Sequence, residues 1–459
     1  MKIYAIGFLL ILLIGCTPSM KTPDLGGIYS AAAKNKGPER NPIIVIPGML
    51  GSRLVNADGR VVWGEFGGRA IDLGSVEGMR ALALPLSGKG WPKDELRPDG
   101  ALEQVKVSLG FDFQFSAYSG MMRAFGAGGY LDSDHSALSE IDYGPGHYTC
   151  FQFGYDWRRS CAENAVLLGR FIDEKKRYVS NERFKRTGKR SEVKFDIVAH
   201  SMGGLVARYY AMYGKRPLAS GGKMAVTWAG AKDLDKLVLV GTPNDGSIYP
   251  VQQLSEGYKL APFLPRIPPA VIGTMPSMYE LMPRTEAGAV IDKDSNPIAI
   301  FQTESWKSLN WGLADPAQEQ ILSQLLPEIA DSQERRKIAI AHLSKMLSNA
   351  RDFHRAMNAK AVPPAGFQIH AFAGDAVSTG SRAQVGADGV PAIIDYLSGD
   401  GVVTRKSMLM DRRGKGSEGG RLQSPIHWTH SQFVFSDHKK MTSDPAFVDN
   451  VLHLLLERP

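Results

Sequence analysis

Six short runs of mostly apolar residues punctuate the chain, at 43–46, 148–153, 193–199, 237–240, 367–372 and 432–435. Runs this short, rich in β-branched and aromatic residues, suit strands buried on both faces better than helices. Between several of them apolar positions recur three or four apart: Leu168, Phe171 and Ile172 share one helical face, and 205–213 continues at similar spacing. Strands alternating with helices predict an α/β fold, with a mostly parallel central sheet covered by helices on both sides. Near 310–360 the pattern changes to a long helical stretch, including 320–330 and 335–357, with no strand signal, inside a segment of about 248–365 that separates the Thr242-Pro243 turn from the next strand run. That segment is expected to be a mainly helical cap inserted into one body spanning 41–459.

The N-terminus reads differently. Met1-Lys2 precedes an apolar run over 3–14 that ends on Gly15-Cys16, too short to span a bilayer comfortably and built like a secretory signal. Leu13-Ile14-Gly15-Cys16 resembles the bacterial lipobox, which implies a signal peptide over 1–16 and a lipidated Cys16. Residues 17–40, with Pro18, Pro23, Gly26, Gly27, Gly37 and Pro38, are expected to form a flexible tether. The protein is then placed at the bacterial cell envelope, lipid-anchored, with the outer membrane as the expected membrane.

Beyond Cys16 the chain holds only Cys150 and Cys161, far too few for a disulfide-built scaffold. With Cys150 in a strand and Cys161 early in the next helix, both are expected to be buried free thiols. No cysteine, histidine or acidic spacing suggests a metal site, and no cofactor is implied. The 459 residues are 43% hydrophobic and 22% charged, the composition of a globular protein. Within the net charge of +7, eight lysines and arginines fall between positions 175 and 190. Anionic headgroups could attract such a patch. The plainer reading is a solvated loop before a strand, and no nucleic-acid partner is expected.

The segment 195–205, Phe-Asp-Ile-Val-Ala-His-Ser-Met-Gly-Gly-Leu, carries a strand, a tight turn and a helix start around Ser201. A nucleophilic serine on such a turn needs small residues two before and two after it, and Ala199 and Gly203 supply them. A serine hydroxyl also needs a base, and the base an orienting carboxylate. In this fold the chain order runs Ser, Asp, His, which selects Asp400 in a glycine-flanked loop and His438 after the last strand run. His427 and His430 precede that run and would sit at the wrong edge. Asp375 is a competing orienter, and Asp437 adjoins His438 in sequence, so its side chain should point away. The oxyanion of an acyl transfer needs amide donors: Met202, after the serine, and Met49, in the Pro47-Gly48-Met49-Leu50-Gly51 turn.

Together these motifs resemble the lecithin:cholesterol acyltransferase family of the α/β-hydrolase fold. The resemblance rests on Ile46-Pro47-Gly48-Met49-Leu50-Gly51-Ser52, Tyr155-Asp156-Trp157-Arg158, the turn from Ala199 to Gly204, Gly399-Asp400-Gly401 and His438. Gly241-Thr242-Pro243-Asn244-Asp245-Gly246-Ser247 adds a lipase-like block. The Tyr-Asp-Trp-Arg block is the most family-specific, although Trp157 and Arg158 can equally pack and pair beneath the site. The resemblance implies transfer or hydrolysis of a fatty acyl group from a glycerolipid, with the oxyanion hole at Met49 and Met202. Two features depart from it. Val402-Val403-Thr404 stands where the family often has Thr-Val-Pro, and the paired cysteines that close a membrane-binding lid in animal members are absent near 55–82. Lipid engagement then falls to Trp63, Phe66 or the cap.

The expectation is a lipase, phospholipase or esterase working through an acyl-serine intermediate on a lipid or other acyl ester. The alternatives are an acyltransferase using the same residues, a carboxylesterase for soluble esters, and a non-catalytic lipid-binding envelope lipoprotein. In the cap, Phe263, Leu264, Met275, Met278, Leu281 and Met282 are candidate lining for an acyl pocket, or plain core. The oligomeric state is not encoded in any motif.

Overall fold

In the computed structural model the described residues are 22–457, apart from 38–39, 69, 87–93, 103, 109–111, 117, 135–140, 144–145, 222, 261–263, 285–287 and 414–419. Cys16 and the signal segment lie outside them.

All six apolar runs form strands of one sheet. Its order in space is His430–Val434, Gln368–Gly374, Leu234–Val240, Phe195–His200, Ile43–Ile46, Cys150–Gln152. Every pairing is parallel. A parallel sheet must be covered on both faces, because its connections return as crossovers above and below it. Strand alternation sorts the side chains accordingly. Ile44, Ile46, Ile197, Ala199, Leu237 and Leu239 enter the larger core, while Ile43, Val45, Val198, Val238, Val240 and Phe372 enter the smaller one.

Helices Cys161–Thr187 and Met202–Tyr213 close the larger core through residues such as Leu168, Ile172, Leu205 and Val206. Helices Ser119–Ala127 and Pro445–Leu456 close the smaller one through Met121, Phe125, Phe447 and Val451. The segment expected to form a cap carries helices Tyr249–Glu256, Pro269–Ile272, Pro276–Glu280, Thr303–Leu309, Glu319–Leu325 and Ser332–Met357. They lie between strands Leu234–Val240 and Gln368–Gly374 in the chain.

Three expectations need correction or extension. Part of the expected tether is docked rather than free: helices Leu25–Ile28 and Ser30–Lys34 flank Tyr29, which is buried in the smaller core. Its hydroxyl donates to Asp449 Oδ1 at 2.7 Å. Arg40 reinforces this by donating to the carbonyls of Ala33 and Asn35. The basic stretch is not a loop either. It is mostly the C-terminal half of helix Cys161–Thr187, where Lys176 bonds Asp233 and Arg183 bonds the carbonyls of Glu192 and Arg40. Finally, the sequence pattern missed an antiparallel hairpin, Val377–Val385 with Pro391–Gly399.

Candidate active site

Parallel α/β sheets place their ligands beyond the carboxyl ends of the strands, near the point where strand order reverses. Here the chain runs from Ile43–Ile46 to Cys150–Gln152 on one side, then returns to Phe195–His200 on the other. Ser201 follows Phe195–His200 directly and opens helix Met202–Tyr213 with φ 52° and ψ −127°. A positive φ in a residue with a Cβ is strained, and it persists only where the surroundings enforce it. They do so here. The Ser201 N–H donates to Val240 O at 2.8 Å, and its carbonyl accepts from Gly204 N. Gly203 lies so close to the neighbouring strand end that a Cβ there would fall 2.3 Å from Pro47 O. Ala199, by contrast, is fully buried with its methyl accommodated.

His438 reaches this serine from the loop after the edge strand His430–Val434, with Nε2 2.9 Å from Ser201 Oγ. On its other side Nδ1 stands 2.7 Å from Asp400 Oδ2. A carboxylate only accepts, so Nδ1 carries the proton it donates to Asp400, and Nε2 presents its lone pair to the serine hydroxyl. Asp400 sits immediately after the hairpin strand Pro391–Gly399 and is 1% exposed. Its Oδ1 accepts from the N–H groups of Val402 at 2.9 Å and Val403 at 2.7 Å. Burial pushes its acidity the other way, but the His438 imidazole and these bonds prevail and hold the carboxyl below the usual carboxylate value. The backbone joins the same pair, since His438 N–H donates to Asp400 O at 2.8 Å.

The competing residues are engaged elsewhere. Asp375 pairs with Arg405 at 2.5 Å, Asp437 accepts from the amides of Lys439 and Lys440, and His427 and His430 are exposed. Met202 is the first residue of its helix and is fully buried. Met49 follows Gly48, whose Cα is so near the serine that a Cβ there would lie 2.8 Å from Ser201 Cβ. Both amides thus belong to backbone flanking the Ser201 side chain.

The Tyr-Asp-Trp-Arg block sits behind this arrangement. Tyr155 donates its hydroxyl to Pro47 O at 3.0 Å, Trp157 packs edge-on against Trp63 at 5.0 Å, and the Arg158 guanidinium makes two bonds to Asp156 and one to Asp94. Of the two roles open to Trp157 and Arg158, these contacts are those of packing and ion pairing. Trp63 also donates Nε1–H to Leu50 O at 2.8 Å, and with Phe66, Ile71, Leu73, Leu260 and Leu264 it lines an apolar cavity of about 320 Å³. Met275, Met278, Leu281 and Met282 are core, whereas Phe263 lies outside the described residues. Cys150 and Cys161 are both buried and unpaired, as expected.

Two residues escaped the sequence reading. His200, next to the serine, is buried with Nε2 3.0 Å from His438 O and Nδ1 2.9 Å from the Tyr118 hydroxyl. The Tyr118 oxygen in turn accepts from Gly48 N–H at 2.7 Å. Burial, seconded by the neighbouring His438, drives the His200 pKa down to about 3, so its ring is neutral. His200 could have been noticed from its place in the serine motif; Tyr118 offers no sequence signal.

Fold and site together define a chain of the α/β-hydrolase type with a serine at its strand-to-helix turn. The family model for lecithin:cholesterol acyltransferase matches residues 132–338, which include the Tyr-Asp-Trp-Arg block, Ser201 and Gly241 to Ser247. The family recognised from the motifs is therefore the family whose model matches this stretch of the chain. Among solved structures, one titled as the crystal structure of the Tle4-Tli4 complex is 16% identical, covers 90% of this chain and 98% of its own, and superposes with a TM-score of 0.51. It supports the fold. Lipase 1 from Pelosinus fermentans is 14% identical, with 92% and 99% coverage and a TM-score of 0.31. No curated protein matches the sequence.

Proposed function

We propose that this protein is a serine hydrolase that cleaves acyl esters of lipids, held at the bacterial cell envelope by a lipidated Cys16. One observation carries the reading: the unbroken chain from Ser201 Oγ through His438, at 2.9 Å, to Asp400, at 2.7 Å. Ser201 Oγ attacks the ester carbonyl carbon as its proton passes to His438 Nε2. Asp400 stays ionised and stabilises the imidazolium. The N–H groups of Met49 and Met202 hold the oxygen on which negative charge develops. His438 then returns the proton to the departing alkoxide, leaving an acyl group on Ser201. Water attacks that ester with His438 again taking the proton, and a fatty acid leaves as the hydroxyl is restored.

The lipid character of the substrate is supported by the family match and by the apolar cavity beside the Leu50 turn, which we assign to the acyl chain. We take the cap as about 248–365. The same match favours a second acceptor, an alcohol replacing water at the acyl-serine stage.

The test compares wild type with Ser201→Ala on phospholipid and on neutral esters of graded chain length, with and without added alcohols. Fluorophosphonate labelling should occur only in the wild type. Equal hydrolysis by the two proteins would overturn the reading. Products esterified to the added alcohol would identify the transferase.

A further inference from the structure

We infer that Tyr118 and His200 are positioning residues: a neutral hydrogen-bond strut that ties the Gly48 turn to the His438 backbone and so sets the spacing of the reacting groups. The inference rests on the hydrolase reading for its effect on turnover, and on geometry alone for the strut itself.

Each proton in the strut has one possible direction. Gly48 N–H can only donate, so the Tyr118 oxygen accepts it at 2.7 Å. The carbonyl of His438 can only accept, so His200 Nε2 carries a proton and donates it at 3.0 Å. A neutral imidazole with its proton on Nε2 has a lone pair on Nδ1, and the Tyr118 hydroxyl donates into it at 2.9 Å. Three bonds thus join residues 48, 118, 200 and 438 in a single polarised sequence. Both rings are buried, at 6% exposure for Tyr118 and 7% for His200, and they meet edge to face at 5.7 Å. Buried polar groups satisfied in this way rigidify the backbone they touch.

The two ends of the strut matter for chemistry. Gly48 lies against Ser201 and precedes Met49, the proposed oxyanion donor. At the other end, His438 has its N–H bonded to Asp400 O and its C=O bonded to His200, so its peptide groups are held on both sides of the imidazole. The strut therefore couples the position of the base to the position of the oxyanion turn, and the His200 ring also lies 4.7 Å from the His438 ring. The hydrogen bonds of Tyr118 and His200 go to Gly48, to each other and to His438 O, and not to the serine hydroxyl. Misplacement of reacting groups by about 1 Å can reduce rate on the order of a hundredfold.

The experiment pairs Tyr118→Phe with His200→Gln and His200→Leu. Glutamine retains one donor and one acceptor, and leucine has neither. Two readouts are taken: steady-state kinetics on a soluble acyl ester, and amide hydrogen exchange by mass spectrometry. The strut predicts that Tyr118→Phe and His200→Leu lower kcat by about 10- to 100-fold with KM within about twofold, and that His200→Gln recovers much of the loss. It also predicts faster exchange in both 47–51 and 436–441, with 202–213 unchanged. Unchanged kcat and unchanged exchange in folded variants would overturn it. So would a uniform rise in exchange across the protein with parallel loss of kcat and melting temperature in all three variants, which marks a purely structural role. If the wild type neither turns over nor labels, the hydrolase reading fails, while the exchange experiment still decides whether the strut holds the two segments.

Discussion

His438 Nε2 lies 2.9 Å from Ser201 Oγ, although 237 positions of sequence separate the two residues. Two whole strands, Leu234–Val240 and Gln368–Gly374, stand between the strands that carry them. The side chains meet because both leave the sheet at its carboxyl end.

Replacing Ser201 should separate chemistry from stability. Ser201→Ala is expected to lower turnover on the order of 10⁵-fold or more while keeping the fold. Ser201→Gly is equally inactive but more stable, by about 1 kcal/mol, because glycine relieves the φ of 52°. Denaturant midpoints for the two variants check this, and a less stable glycine variant would contradict the strain.

Asp400→Asn keeps the shape of the site, but with its oxygen held by the Val402 and Val403 amides it turns an NH2 donor toward His438 Nδ1 and favours the wrong tautomer, so turnover should fall on the order of a thousandfold or more. The carboxyl is held below its ordinary value in the folded protein. Its contribution to stability is therefore present above the unfolded value of about 4 and lost as pH falls through the folded one. Urea unfolding of wild type and variant from pH 7 to 3 should show the gap between them narrowing in acid.

His342 offers a second test of pH, in a higher window. Burial pushes its pKa down to about 4, and its Nε2 bonds Thr274 O at 3.2 Å. The unfolded chain takes up a proton near pH 6.5 that the folded chain refuses, so stability falls as pH drops from about 6.5 to about 4. The share of this one residue is about 1.4 kcal/mol per pH unit in that window. His342→Gln should lose stability less steeply by that amount between pH 6 and 5, measured by denaturant midpoints. Parallel curves would refute the assignment.

The proposed anchor is checked by Cys16→Ser. The wild type should incorporate labelled fatty acid and partition into the detergent phase, and the variant should do neither while retaining activity on a soluble ester. Unchanged incorporation would place the lipid elsewhere.

How much of this was legible in sequence follows from the physics of each element. Central strands such as Ile43–Ile46 are buried on both faces, so they read as continuous apolar runs with no need for alternation. The hairpin strand Pro391–Gly399 was missed because its outer apolar residues, Ile394, Tyr396 and Leu397, are solvent-exposed and blur the pattern. Ser201, Asp400 and His438 were accessible through local turn chemistry and chain order. Tyr118 was not, because its role comes from a bond to His200, 82 residues away. The basic half of helix Cys161–Thr187 looked like a loop because its charged face outweighs its few buried positions, such as Val179 and Arg183. Tyr29 and Ala33 docked residues that composition alone assigned to a tether.

The residue proposed as base hangs from one of the sheet's two edge strands. His430–Val434 is five residues long and, among the described residues, pairs on one side only, with Gln368–Gly374. Such margins open at lower free energy than the interior of a sheet. On warming, the seam between these two strands should part before the interior of the sheet does, carrying the imidazole away from the serine while the central layers stay assembled. Catalytic half-life, in that event, measures fraying at one border of the molecule and not collapse of its core.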